Sequence, residues 1–347
     1  MSAVDAELVA RARAGERLSY PAGAPSAATA ESMLEQQTRT VHAARDRNPA
    51  LADLGLDAAL ARLEHEWVPH RGALIHIEHH DVDPDAPTLI VVPGLGDHCR
   101  RHLALAAALG DRGFNSLLVD RQGHGLSEGR RGDAPLETDL GVLELAIALA
   151  RSRNRGPVIL LGDSLGGIMS WYLLTREPDV DAAICHCIGH PDVHHDPSFR
   201  RKAPLLRALA RIAPFAPIPV RQIADYDHVA LDPVTLRDFE QEVDPLFNFK
   251  VSARTVASYV GFQPGIAWER VTVPVLVVIG AADRMVTPEF TRRSLDAGRP
   301  PHATYLEIPE AGHQLFLDHL GSAIGPLVDW VGATLDPARD DFVASPR

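Results

Sequence analysis

Cysteine is scarce in this chain: Cys99, Cys185 and Cys187 are the three among 347 residues. That excludes the disulfide framework of a small secreted domain. Lysine is scarcer still. Of 34 basic residues only Lys202 and Lys250 are lysines, so a Schiff-base enzyme has few candidates. Positive charge is in deficit overall, because 34 Lys and Arg against 46 Asp and Glu leave a formal charge of −12. This argues against nucleic acid and anionic membrane surfaces as main partners. No run approaches the roughly 18 apolar residues of a membrane span, and no basic start leads into an apolar signal segment. The expectation is a cytoplasmic protein without stable membrane insertion.

The chain does hold 46% hydrophobic and 23% charged residues, the balance of a soluble globular protein. Its length fits one large α/β domain with insertions, or two ordinary domains. Residues 1–70 are rich in Ala, Arg and Glu, and "DAALARLEHEWV" puts Leu60, Leu63 and Trp67 on one helical face. They are read as a helical N-terminal extension. From residue 72 the rhythm changes. "ALIHIEHH" alternates like a half-buried strand, and "TLIVVP", "FNSLLVD", "PVILLGD", "DAAICHC", "VPVLVVIG" and "ATYLEIP" are short apolar runs. Helical stretches at 98–111, 135–153, 165–176 and 288–297 separate most of them. Apolar strands with crossover helices imply a mostly parallel sheet covered on both faces. Residues 190–262 hold no convincing central strand and read as a helical cap inserted in a core of 71–189 and 263–347.

One turn carries chemistry. Gly162-Asp163-Ser164-Leu165-Gly166 follows the strand "PVILL" and precedes a helix. A sharp strand-to-helix turn strains the serine backbone, and only glycine-sized neighbours fit two residues to either side. The hydroxyl is lifted above the sheet beside a helix N-terminus, which favours developing negative charge. A serine needs a base to take its proton. In open α/β sheets the partners belong at the carboxyl ends of strands. Asp283 follows "VPVLVVIG" and His313 follows "ATYLEIP". The order Ser164, Asp283, His313 is that of an α/β-hydrolase triad. Asp192, after an earlier strand, is a second candidate for the acid, and His319 a second histidine, better suited to packing or surface. An oxyanion hole needs two backbone donors, for which the N–H groups of Leu165 and Leu95 are the candidates.

With these residues in place, the chain resembles the α/β-hydrolase superfamily. More narrowly it is similar to the monoacylglycerol lipase and lysophospholipase group, also called serine aminopeptidase-like. "VDRQGHGLSEGRRG" (119–132) matches that group's D-x-x-G-H-G-x-S-E-G stretch, and "PGLGDH" its H-G-x-G-E-H oxyanion loop. "VDPLFNFKVSARTVASYV" (243–260) stands where the group carries an acidic-Pro-Leu segment closing its cap. The resemblance covers roughly residues 72–335 and implies a two-step acyl transfer with no metal or organic cofactor. One departure stands out: Pro93 replaces the usual histidine, so loop anchoring must differ. Asp163, where many relatives carry histidine, adds a carboxylate beside the turn.

Other signals weigh less. "HEWVPH" lacks the H-E-x-x-H spacing, and Pro69 breaks the helix a zinc site of that kind needs. "CHCIGHPDVHHD" (185–196) has irregular metal-ligand spacing and is read as a strand end entering the cap, with His190 or His194 at the pocket mouth. "PLLRALARIAPFAPIP" could touch lipid as an amphipathic lid, but the net negative charge favours its reading as an apolar wall of the acyl pocket. The sequence therefore points to a hydrolase of carboxylic esters with an apolar portion, monoacylglycerol- or lysophospholipid-like or smaller. A thioesterase or amidase, a natural-product hydrolase or lyase, and a non-catalytic receptor on the same fold are the alternatives.

Overall fold

The computed structural model describes residues 55–193, 199–224, 228, 244, 246–260 and 262–335. Eight strands form the central sheet: β1 (Leu63–His70), β2 (Ala73–His80), β3 (Thr88–Val92), β4 (Asn115–Val119), β5 (Val158–Gly162), β6 (Ala182–His186), β9 (Val275–Gly280) and β10 (Ala303–Ile308). Their order is β1-β2-β4-β3-β5-β6-β9-β10. β2 runs antiparallel to both neighbours, and every pair from β4 to β10 is parallel. Crossovers are made by α2 (Leu103–Gly110), α3 (Leu136–Arg153), α4 (Leu165–Leu174) and α7 (Pro288–Gly298), with α8 (Leu320–Leu335) closing the chain. The mostly parallel sheet is the one the strand rhythm implies, and the fold is the α/β-hydrolase fold that the resemblance implies.

The core divides by strand alternation. Leu89, Val91, Leu161 and Val278 point to one face, under α2, α8 and the short α1 (Leu56–Arg62). Ile90, Val92, Leu160 and Val277 point to the other, under α3 and α4. Both faces are covered, so the central strands read as continuous apolar runs.

Two expectations need correction at the N-terminal edge. The stretch read as helical is a helix only over 56–62, and residues 63–70 are strand β1; residues 1–54 lie outside the described residues. The spacing of Leu60, Leu63 and Trp67 suits a helix. Pairing with β2 decides otherwise, through a two-residue turn at Arg71 and Gly72 with φ of 46° and 80°. Pro69 is tolerated because β1 is an edge strand. Nor is β2 half-buried: only Leu74 is partly exposed, and His76, Glu78, His79 and His80 are all buried. His76, Glu78 and His79 are compensated in place, while among the described residues neither ring nitrogen of His80 has a hydrogen-bond partner and burial lowers its pKa. Arg100 Nε donates to both Glu78 oxygens at 3.1 Å, His76 Nδ1 lies 2.7 Å from Asp120, and His79 pairs with Glu66.

Between β6 and β9 lie α5 (Phe199–Ile212), a separate two-stranded sheet of β7 (Pro217–Pro219) and β8 (Lys250–Ser252), and α6 (Ala253–Tyr259). This insert is fastened to the core by polar contacts. Arg131 donates to Gly125 O and Leu246 O, Arg254 pairs with Asp133, and His98 Nε2 meets Asp244 Oδ2 at 2.9 Å. Burial works against a charged imidazole, yet the carboxylates of Asp244, Asp97 and Asp120 hold the His98 pKa above its ordinary value.

Two outcomes follow for stability. Arg100→Met strands the Glu78 charge in the interior and is expected to cost about 3–5 kcal/mol by denaturant titration, most of it recovered when Glu78→Leu is added. The His98–Asp244 tether has its full strength below the unfolded histidine value of about 6.5 and loses it as pH rises through the raised folded value. Asp244→Asn should therefore cost about 1.5–3 kcal/mol at pH 6 and distinctly less at pH 9, measured by urea unfolding.

Candidate active site

Ser164 stands between β5 and α4 with φ 52° and ψ −114°. A non-glycine residue adopts such a conformation only where its surroundings impose it. Here a Cβ at Gly162 would overlap Gly166 O, and one at Gly166 would overlap Val92 O. Both flanking glycines are thus required by backbone packed against backbone. The main chain then turns into α4 and holds the hydroxyl at the C-terminal edge of the sheet.

The strand-end residues converge on that hydroxyl. Ser164 Oγ lies 2.9 Å from His313 Nε2, and His313 Nδ1 lies 2.8 Å from Asp283 Oδ2. The other Asp283 oxygen accepts from Met285 N at 2.8 Å and Val286 N at 2.9 Å, so its own turn orients the carboxylate. The loops after β9 and β10 are stitched together by Ala282 N to Ala311 O at 2.8 Å. The alternatives are not brought in. Asp192 is exposed and its carboxylate faces His190. His319 precedes α8, where its carbonyl accepts from Ser322 and Ala323 N–H.

The loop after β3 passes directly over the serine. A Cβ at Gly94 would lie 3.2 Å from Ser164 Cβ. Leu95 lines the cleft above Ser164, and Leu165 is the first residue of α4. Among the described residues neither N–H meets a hydrogen-bond acceptor, so both are available to a ligand. With Pro93 in place of histidine, anchoring comes from elsewhere. Arg121 NH2 donates to Gly94 O at 2.8 Å while NH1 reaches Asp139 at 3.1 Å, and Asn248 N donates to Gly96 O at 2.7 Å.

Beneath the serine, Asp163 receives His186 Nδ1 at 2.6 Å and His102 Nε2 at 3.0 Å. Burial alone would raise this carboxyl's pKa; the two histidine hydrogen bonds outweigh it and hold the group far below the usual carboxylate range. The His186 ring lies 5.3 Å from that of His313.

The cleft is lined by Leu95, Val220, Ala224, Phe247 and Met285, which pack as one apolar group, and by Asp97, Asp163 and Gln314. Asp97 faces Arg101 at 3.4 Å. The stretch read as an acyl-pocket wall stands elsewhere: among the described residues none of 204–219 lines this cleft, and Leu205, Leu209 and Ile212 are exposed. Amphipathic spacing says that a helix has an apolar face, not which neighbour it meets. His190 packs against Trp268 at 4.8 Å rather than lining the cleft, and His194 lies outside the described residues. Among the described residues no helix is long and apolar enough to cross a membrane.

Comparison with known proteins identifies the family. The family model described as serine aminopeptidase, S33, matches residues 83–319, more than half of the chain. A monoacylglycerol lipase of Mycolicibacterium smegmatis is 25% identical over 262 residues, covering 74% of this chain and 91% of that protein. The crystal structure of a monoacylglycerol lipase from Paleococcus ferrophilus superposes with a TM-score of 0.60 at 24% identity, covering 72% of this chain and 96% of that one. A soluble variant of the monoglyceride lipase of Saccharomyces cerevisiae, in complex with a substrate analog, gives 0.65 at 15% identity, with coverages of 78% and 94%. The chain belongs to the serine aminopeptidase S33 family and is an α/β-hydrolase enzyme.

Proposed function

We propose that the protein hydrolyses carboxylic esters bearing an apolar acyl or alcohol portion, through an acyl-enzyme on Ser164. The observation that carries this reading is the unbroken hydrogen-bonded chain from Ser164 through His313 to Asp283, at 2.9 and 2.8 Å. In the first step His313 Nε2 accepts the hydroxyl proton as Ser164 Oγ attacks the ester carbonyl. The imidazolium then gives that proton to the departing alcohol. Asp283 keeps the other proton on Nδ1 and stabilises the transient positive charge. Water repeats the sequence on the acyl-enzyme, again through His313, and the acid leaves.

The oxygen that gains charge in each tetrahedral intermediate is assigned to the N–H groups of Leu95 and Leu165. Backbone donors fixed by a glycine loop and by the start of a helix need little reorganisation as that charge develops. The apolar cleft wall of Leu95, Val220, Ala224, Phe247 and Met285 supports an apolar group next to the scissile bond. The monoacylglycerol lipase relatives make a lipid-derived ester the first class to assay.

Two measurements test the reading. A fluorophosphonate probe should label the wild-type protein and fail to label Ser164→Ala, with turnover of an ester panel falling about 10⁴- to 10⁶-fold. Labelling that persists in the variant removes Ser164 from the reaction, and a panel of thioesters run alongside separates the two acyl classes. Asp283→Asn should leave the folded protein intact and lower kcat by about 10⁴-fold with little change in KM; a loss confined to KM contradicts its part in orienting His313.

A further inference from the structure

Irregular spacing makes residues 185–196 look unsuited to a metal, yet the fold brings part of that segment to partners far away in sequence. His186, Cys187, Asp283 and His313 are all buried, and each offers a ligand atom within 4.8 Å of the others. Two imidazoles, a thiol and a carboxylate make the donor set of a tetrahedral zinc site. A second observation points the same way. His186 Nδ1 is engaged, 2.6 Å from Asp163 Oδ1 and 3.4 Å from Ser164 N. Its Nε2 is buried without a hydrogen-bond partner among the described residues. Asp163 is itself held by His102. A carboxylate behind an imidazole, fixing the tautomer that bares the far nitrogen, is how metal sites support their histidine ligands.

The other His-containing groups are already paired; in that of Asp97, His102 and Asp163, His102 Nε2 meets Asp163 Oδ2 at 3.0 Å. His65 and His76 hydrogen-bond to each other and His76 to Asp120, while Glu78 is already neutralised by Arg100.

We propose that His186, Cys187, Asp283 and His313 form an inhibitory site for a thiophilic divalent cation, with zinc the best match. The ion binds His186 Nε2, the Cys187 thiolate, one Asp283 oxygen and His313 Nδ1, replacing the hydrogen between the last two. The thiol proton is released to solvent. The His313 ring stays neutral, so its single proton moves from Nδ1 to Nε2. Nε2 is the atom 2.9 Å from Ser164 Oγ, and once protonated it cannot accept the serine proton. Two anionic ligands balance the charge of the ion. Because His313 lines the cleft, the ion enters by the substrate's route. Magnesium and calcium, which prefer all-oxygen shells, do not suit the set.

The test uses the full chain and cobalt(II) as a spectroscopic stand-in for zinc. Wild type should show a thiolate-to-cobalt band in the near ultraviolet, bleached by added zinc. Cys187→Ala should lose the band, and its affinity for cobalt should fall by about a hundredfold or more, beyond the usual cost of losing an outer-shell partner. Cys185→Ala, whose thiol is buried outside the cluster, should keep the band. His186→Gln should weaken cobalt binding with Cys187 still present, which keeps the test decisive if the Cys187 variant does not fold. In parallel, zinc should inhibit ester turnover reversibly on chelation. The inhibition constant should rise in Cys187→Ala by the same factor as its affinity falls, each rate referred to that variant's own metal-free rate. No band in wild type, the same band in Cys187→Ala, or unchanged zinc sensitivity in that variant overturns the proposal. The inhibition arm rests on the proposed triad and the cobalt band does not. An inactive protein that still gives the band refutes the triad alone, and an active one without it refutes the metal site alone.

Discussion

Everything at the candidate site depends on one constraint, the backbone strain at Ser164. The positive φ there costs of order 1–3 kcal/mol wherever it occurs, and it persists because β5, β3 and the start of α4 are packed backbone to backbone around it. Side chains at 162 or 166 would push these layers apart. The strain aims the hydroxyl toward the carboxyl ends of β9 and β10, and the parallel sheet places the loops bearing Asp283 and His313 at that edge. A chain of hydrogen bonds across residues 164, 283 and 313 is therefore a product of topology rather than of local sequence.

The surroundings of the serine show how a departure from a familiar pattern is absorbed. Without a histidine at position 93, the glycine loop is held by the buried guanidinium of Arg121 and by Asn248 from the insert. Asp139 compensates Arg121 and also accepts from Tyr259, so residues of the core and of the insert share one buried network. The glycine loop above Ser164 is thereby coupled to the insert, whose Val220, Ala224 and Phe247 line the cleft. The His98–Asp244 pair adds a second, charge-dependent link between the same two parts.

Much of this was legible in the sequence, for identifiable reasons. Parallel strands covered on both faces announce themselves as short apolar runs, and turn glycines flanking a serine mark a steric necessity. Asp283 and His313 could be placed because ligand sites in open α/β sheets gather at strand ends. The failures are equally physical. Leu60, Leu63 and Trp67 satisfy a helical period, and short segments satisfy both periods easily. The overlooked signal was Arg71-Gly72, a two-residue turn between alternating stretches. The histidines and glutamate of β2 look solvent-bound in the sequence and suggest a half-buried strand, whereas the fold buries them all and gives Glu78, His76 and His79 the partners Arg100, Asp120 and Glu66. Arg121 carried no recognisable signal as the anchor of the Gly94 loop, since its acceptor is a carbonyl. The outward apolar face of α5 could not be assigned from spacing alone.

The central claim is that this strained serine is the reacting group, with its proton acceptor and oxyanion donors already in position. The most direct measurement is a crystal structure of the enzyme after reaction with a phosphonate ester. The account predicts phosphorus bonded to Ser164 Oγ, one phosphonyl oxygen within hydrogen-bond distance of both Leu95 N and Leu165 N, and His313 still held by Asp283. Phosphorus on another residue, or an oxygen pointing away from both backbone donors, would contradict it.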